Sequence, residues 1–317
     1  RLKTGGFKMA VTAALIKELR ERTGVGMSAC KNALVETDGN MDAAIEYLRK
    51  QGLANAAKKA GRIAAEGLSY AYISEDNSVA VAVEVNSETD FVAKNEKFQN
   101  FVKEVAQHVV TNNCANVDEF LASPWGGEFA TVQDALNDMI SVIGEKLSIR
   151  RFEKYTNDGN TFYVSYIHAG GKIAVIVEFA TDSKDAALVE CGKNVAMQIA
   201  AMNPKYVAEK DVPADFIEHE KALLLEQAKN DPKNAGKPEN ILEKMLTGRL
   251  KKEMKEICLL DQEYVQGDKE SVAQYIQNVA KSINADVQVK GFVRFETGEG
   301  IEKKEENFAD EVAKAMN

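Results

Sequence analysis

Ala80-Val81-Ala82-Val83-Glu84-Val85 is matched 94 residues further along (174 − 80) by Ala174-Val175-Ile176-Val177-Glu178-Phe179. The same offset pairs Tyr72-Ile73 with Tyr166-Ile167. It also pairs Phe101-Val102-Lys103-Glu104-Val105-Ala106 with Val195-Ala196-Met197-Gln198-Ile199-Ala200, without a gap. Each copy, residues 69–109 and 163–203, reads as strand, turn, strand, helix. Glu75-Asp76-Asn77 turns the first hairpin and Ala169-Gly170-Gly171 the second. A hairpin alone is too small to be stable in water, so each copy needs its helix against one sheet face. The expectation is a multidomain α+β protein with duplicated core subdomains and antiparallel sheets.

Working outward, residues 12–52 carry three short amphipathic patterns. Thr12 is placed to cap the first, Ser28 starts the second, and Asp38-Gly39-Asn40 separates the second from the third. Helices this short must pack on one another, which suggests a three-helix module of the ubiquitin-associated type over 9–53. An Ala- and Lys-rich helical linker over 54–66 follows. The first core subdomain spans 67–158; its stretch 111–154 reads as mainly helical with a loop at Ser123-Pro124-Trp125-Gly126-Gly127. The second spans 159–212 and 271–301, with a helix near 271–283 and a strand over 287–295. Between its parts, 213–270 reads as an antiparallel helical hairpin, a short coiled coil. Its stripes are Phe216, Ile217, Leu223 and Leu224 going out, and Ile241, Leu242, Met245, Leu246, Leu250, Met254 and Ile257 returning. Each arm of some 16 to 20 residues would reach about 24–30 Å at 1.5 Å per residue. A final helix is expected within 302–317. Residues 1–8 are basic without an apolar signal core and read as appended sequence ahead of a natural start at Met9.

The chain of 317 residues is 45% hydrophobic, enough for sizeable cores, and its formal net charge is −9. That charge argues against general nucleic-acid affinity, which needs dense Lys and Arg to displace counterions. No apolar run approaches the ~18 residues of a membrane span. The four cysteines, Cys30, Cys114, Cys191 and Cys258, are scattered without zinc-ligand spacing, as suits core residues in a reducing cytosol. The protein is therefore expected in the cytoplasm. Only His108, His168 and His219 are available as imidazoles, far apart in sequence. No phosphate-cradling GxxxxGK[ST] occurs, and Gly24-Val25-Gly26 follows no strand, so it reads as a helix-joining turn. No catalytic residue, metal site or cofactor is expected, and the chain is not read as an enzyme of bond chemistry.

Two segments stand apart. The first is Leu19-Arg20-Glu21-Arg22-Thr23-Gly24-Val25-Gly26-Met27-Ser28-Ala29-Cys30-Lys31-Asn32-Ala33-Leu34; the second is Glu84-Val85-Asn86-Ser87-Glu88-Thr89-Asp90-Phe91-Val92-Ala93-Lys94. In the second, Ser87, Thr89 and Asp90 precede a helix and read as an N-cap cluster. The other copy offers Thr181-Asp182-Ser183-Lys184-Asp185 at the equivalent place. Capping accounts for polar residues in both copies but not for Phe91, whose 94-offset partner is Asp185. A position that takes Asp in a shared fold is an exposed one. Phe91 is then either an anchor for a partner's pocket or part of a local core.

Both segments resemble the signature segments of the elongation factor Ts family, in the right order. The wider resemblance takes in the duplicated core, the helical hairpin and the ending Gly291-Phe292-Val293-Arg294-Phe295-Glu296-Thr297-Gly298-Glu299-Gly300-Ile301-Glu302-Lys303. It implies a guanine-nucleotide exchange factor that binds elongation factor Tu and promotes GDP release. It further implies that Asp90 and Phe91, with Thr89 and Val92, enter the GTPase domain and disturb its magnesium and phosphate site. Arg20 and Met27 are implied as further contacts, and His168 as a contact to another GTPase domain. Ser28 departs from the family, which often has a second Met there. The partner implied is a GTPase, with no direct nucleic acid and no membrane; a homodimer through the coiled coil or the core stays open. Three rivals are a ubiquitin-associated-like adaptor, which leaves the duplicated core and Thr89-Asp90-Phe91 unexplained, a scaffold organised by the coiled coil, and a hydrolase, which would need a polar cluster that the sequence does not offer.

Overall fold

The computed structural model describes residues 11–231 and 237–302. The start expected at Met9, the stretch 1–8 read as appended, and the helix expected within 302–317, apart from residue 302 itself, lie outside the described residues. Helix α1 (Ala13–Thr23) opens on Thr12, whose hydroxyl accepts the Leu15 amide at 3.2 Å, and stops at Gly24, φ +70°. That left-handed geometry suits glycine, which has no Cβ to collide with the backbone. Helix α2 (Met27–Glu36) begins one residue before the expected Ser28, with Gly26 at its N-cap. Helix α3 (Met41–Lys59) is capped by Asn40, which accepts the Ala43 amide at 3.0 Å. Leu19, Cys30, Ala33, Leu34, Ala44 and Leu48 form one buried cluster among the three. Helix α3 does not pause at Gly52. A Cβ there would strike the Ser141 side chain, so this glycine marks a close helix approach rather than a helix end.

The first copy follows as β1 (Glu66–Ile73), β2 (Val79–Ser87), a four-residue helix α4 (Asp90–Ala93) and α5 (Glu96–Thr111). Helix α5 buries Phe98, Phe101, Val102, Val105, Ala106 and Val109, an i, i+3, i+4 stripe. The stretch expected to be mainly helical is mixed. It contains α6 (Val117–Ala122), a small antiparallel hairpin of β3 (Pro124–Gly126) and β4 (Phe129–Thr131), and α7 (Val132–Ile143). It ends in β5 (Leu147–Thr156), which joins the sheet in the order β1-β2-β5. The charged run Arg150-Arg151-Phe152-Glu153-Lys154 hides β5 from a hydropathy reading.

The second copy repeats the plan. Strands β6 (Thr161–His168) and β7 (Ile173–Ala180) are antiparallel, with Tyr166 opposite Val175, and α8 (Ala186–Met202) packs against both. Helices α9 (Ala214–Asn230) and α10 (Glu239–Ile257) come next. Phe216 and Ile217, early in α9, share a cluster with Leu250, Met254 and Ile257, late in α10, so the two run in opposite senses. Helix α11 (Val272–Ser282), with a Ser271–Gln274 capping box, leads to β8 (Gln288–Glu296), completing the order β6-β7-β8. Equivalent positions of the copies, Ala80 with Ala174 and Ala82 with Ile176, lie in one buried cluster with Tyr163, Val293 and Phe295.

The chain divides into two compact units. Of the described residues, one holds 11–70, 83–152 and 296–302; the other holds 71–82, 153–231 and 237–295.

Candidate functional site

The second signature segment leaves β2 at Ser87 and turns into α4. Phe91 is 77% exposed, while its neighbour Val92 is buried at 6%. The chain is thus anchored by one side chain and presents the next to solvent. Exposing a phenyl ring forfeits the roughly 1.5–3 kcal/mol that its burial would supply, so the local fold has no use for it there. Asp90 is also exposed; its carboxylate lies 3.4 Å from Lys94 Nζ, which stands 5.7 Å from the centre of the Phe91 ring. An i, i+4 pair at the surface contributes little stability but holds the three side chains on one short turn.

The capping expected of Thr89 is not what its hydroxyl does. Thr89 occupies the N-cap position of α4 without a side-chain capping bond. Its hydroxyl donates to Glu145 Oε1 at 2.7 Å, and its amide donates to Glu145 Oε2 at 2.9 Å. The Ser87 hydroxyl donates to the Thr89 carbonyl at 2.9 Å. Beside them the Lys146 amide donates to Glu88 Oε1 at 2.6 Å, and Arg62 reaches the same carboxylate at 3.3 Å. The true cap in this region is Asn95, which accepts the Lys97 amide at 2.9 Å and opens α5.

The first signature segment lies in the same unit. Arg20 is exposed in the last turn of α1, and its carbonyl accepts the Gly24 amide at 2.8 Å. A Cβ on Gly24 would come within 2.7 Å of Lys97 Nζ and 3.5 Å of Val142, so the α1–α2 turn lies beside Val142 of α7 and within reach of the Lys97 side chain. Met27 is 43% exposed at the start of α2, and Ser28 is exposed beside it. His168 belongs to the other unit, at the exposed end of β6, where its Nδ1 lies 2.9 Å from the Tyr166 hydroxyl.

Glu84, the first residue of the second segment, is fully buried, yet four donors reach its carboxylate. They are Arg151 Nε at 2.6 Å, the Gly298 amide at 2.8 Å, Arg150 Nη1 at 3.0 Å and Asn86 Nδ2 at 3.0 Å. Burial by itself would raise its pKa. The Gly298 and Asn86 hydrogen bonds and the two arginines outweigh it, and the net displacement is downward. Its counterpart Glu178 meets Lys290 on β8 at 3.0 Å. Both copies thus set an acid on the second strand against a base on the third.

Among the described residues no group of three or more His, Cys, Asp or Glu side chains is placed to hold a metal ion. His108 is taken up in packing: its ring stacks on Trp125 at 3.9 Å, and burial lowers its pKa. No helix is long and apolar enough to cross a membrane, among the described residues.

A family model described as Elongation factor TS matches residues 88–299. Elongation factor Ts of Clostridioides difficile (strain 630) is 51% identical over 306 residues, covering 96% of this chain and 99% of that protein. The chain belongs to the elongation factor Ts family. Elongation factor Ts of Trichlorobacter lovleyi is 49% identical over 312 residues (97% and 99% of the two chains), and that of Clostridium novyi 48% over 308 residues (97% and 99%). The match of the elongation factor Ts family model begins at Glu88, one residue before the Glu145 clamp on Thr89. Glu145 and Lys146 are the loop residues that sequence reading did not single out. They lie more than fifty positions from the residues they hold, and no local motif marks a partner at that distance.

Proposed function

We propose that this chain releases GDP from elongation factor Tu by inserting the Asp90-Phe91 turn into the GTPase domain, with Thr89 and Val92 shaping that turn. Membership of the elongation factor Ts family carries the role of exchange factor for elongation factor Tu. The observation that carries the insertion is Phe91, a large ring 77% exposed on a short turn whose next residue is buried. Such a ring is an anchor for a partner's pocket, and displacement of helices around that pocket would disturb the magnesium and phosphate site. The thermodynamic content is a coupling free energy. The factor binds nucleotide-free GTPase better than the GDP form, so GDP weakens the factor's binding by the same factor. No bond is made or broken. Arg20 and Met27, on the turn that adjoins Lys97, are read as contacts to the same GTPase domain. His168 is read as a contact to another.

Within the same reading, α1–α3 form a ubiquitin-associated-like module; the helical linker expected over 54–66 is the end of α3 as far as Lys59, and a non-helical run then leads to β1 at Glu66. Helices α9 and α10 form a short antiparallel coiled coil inserted in the second core subdomain. The protein works in the cytoplasm without touching nucleic acid directly. The test is release of fluorescent GDP from elongation factor Tu under excess unlabelled GDP. Acceleration by the parent and a loss of roughly ten- to a hundredfold in Phe91→Ala is expected, from ~1.4 kcal/mol per factor of ten and a hot-spot contribution of 2 kcal/mol or more. Acceleration that survives the substitution would move the mechanism to other contacts.

A further inference from the structure

We infer that Glu145 is the positioning residue of the exchange turn. Its carboxylate fixes the chain at Thr89 so that Asp90 and Phe91 are already presented before any partner arrives. The inference rests on the proposed role of Asp90 and Phe91, and deepens it.

Helix α4 has four residues, Asp90–Ala93, and its N-cap threonine makes no capping bond. A single uncapped turn has no intrinsic stability, because nucleation fixes several residues for very few hydrogen bonds. Something outside the turn must hold it. Val92 anchors one side, and Glu145 accepts both donors that Thr89 offers, at 2.7 and 2.9 Å. A two-point, charge-assisted grip sets direction as well as distance, as one bond does not. The grip comes from a fixed place. Glu145 follows Gly144, which ends α7 with φ +84°, and Lys59 Nζ donates to the Gly144 carbonyl at 2.6 Å. The neighbouring pair repeats the arrangement, Lys146 N–H on Glu88, with Lys146 Nζ donating to the Arg62 carbonyl at 2.7 Å.

The second copy serves as an internal control. There Asp185, at the position of Phe91, caps α8 by accepting the Ala187 amide at 2.8 Å. Ser183 and Thr181 accept amides two residues on, at 3.3 and 3.1 Å. That crossing is held locally by its own side chains. In the first copy the equivalent position is an exposed phenylalanine, α5 is capped four residues later by Asn95, and the turn that carries Phe91 is held by Glu145. A ring kept in its presented conformation loses less freedom on binding, which is the advantage of preorganisation.

The experiment measures GDP release from elongation factor Tu against factor concentration, separating the maximal rate from the half-saturating concentration. Parent, Phe91→Ala, Glu145→Ala, Glu145→Gln and the double variant Phe91→Ala/Glu145→Ala run side by side, each with a thermal melt. Glu145→Ala is expected to lower the maximal rate on the order of tenfold, the scale of one hydrogen bond to a charged group, with a smaller change in half-saturation. Glu145→Gln, whose amide oxygen can accept the Thr89 amide while its NH2 meets the hydroxyl oxygen, restores most of the rate. Glu145→Ala costs less rate in the Phe91→Ala background than in the parent, because Glu145 acts through the turn that carries Phe91. If Glu145→Ala melts early, Thr89→Val is the second probe: it keeps the amide bond, drops the hydroxyl, and should lose rate several-fold. A parent-like rate in Glu145→Ala, or in a folded Thr89→Val, overturns the inference while leaving Phe91 in place. Equal losses from Glu145→Ala with and without Phe91 also overturn it. A parent-like rate in Phe91→Ala removes the underlying reading instead.

Discussion

Replacing Glu84 by Gln should be among the most damaging single-atom changes available to this fold. The carboxylate is fully buried and accepts from two guanidiniums, an amide and a side-chain amide. Glutamine puts an NH2 where one oxygen was, facing donors, and removes the buried charge that Arg150 and Arg151 share, while Arg151 keeps Glu299 at 3.2 Å. Breaking a buried pair by removing one partner costs about 3–5 kcal/mol. The arginine side chains are 29% and 31% exposed and keep part of their hydration, which places the expectation at the lower end, about 3 kcal/mol. The assay is urea denaturation of the full chain at neutral pH, repeated at intervals down to about pH 3. Because the folded pKa of Glu84 lies below its unfolded value, its contribution is complete above the ordinary glutamate range near 4.3 and is lost as pH falls through the folded value. The parent's midpoint should fall with acid more steeply than the variant's. A loss below about 1 kcal/mol, the range of a surface pair, or identical pH slopes in parent and variant, would mean that the buried carboxylate does not hold this sheet together. Glu178→Gln is the built-in comparison: Lys290 is 45% exposed, and a loss of only about 1 kcal/mol is expected.

Gly67→Ala should destabilise by more than about 1 kcal/mol, since φ is +122° and a Cβ would meet the Val85 carbonyl oxygen, which is backbone and cannot swing aside. A urea midpoint matching the parent's would exclude that close approach. Asn95→Ala removes the cap of α5 and should cost about 1 kcal/mol, read from the same denaturation curve. Phe91→Ala should leave the midpoint within about 0.5 kcal/mol of the parent, as befits an exposed side chain, so that its exchange defect cannot be assigned to unfolding.

Much of the architecture was legible in the residues because it rests on local pattern. Alternating apolar positions and the ungapped 94-residue offset disclosed both strand-strand-helix units. Thr12, Asn40 and Gly24 announced helix limits through capping chemistry that acts over a few residues. The exposure of Phe91 followed from comparing the copies, since Asp185 occupies the same position in the other one. Strand β5 escaped because its charged residues, Arg150 and Arg151, interrupt the apolar alternation; their partner Glu84 is more than sixty positions away. Gly52 carries no local signal of its role: only a neighbouring helix, through Ser141, explains why a glycine stands there.

The amino-acid sequence by itself determined the α+β class, the repeat, the family and the identity of the turn that carries Phe91. Those depend on short-range periodicity, steric limits of single residues and motifs contiguous in the chain. Only the tertiary structure decided how that turn is held. The sequence places Thr89 as a local cap, but its hydroxyl and amide turn to Glu145, and Glu88 turns to Lys146 and Arg62. Hydrogen-bond partners across more than fifty residues are chosen by where packed strands and helices deliver side chains, and spacing along the chain carries no trace of that choice.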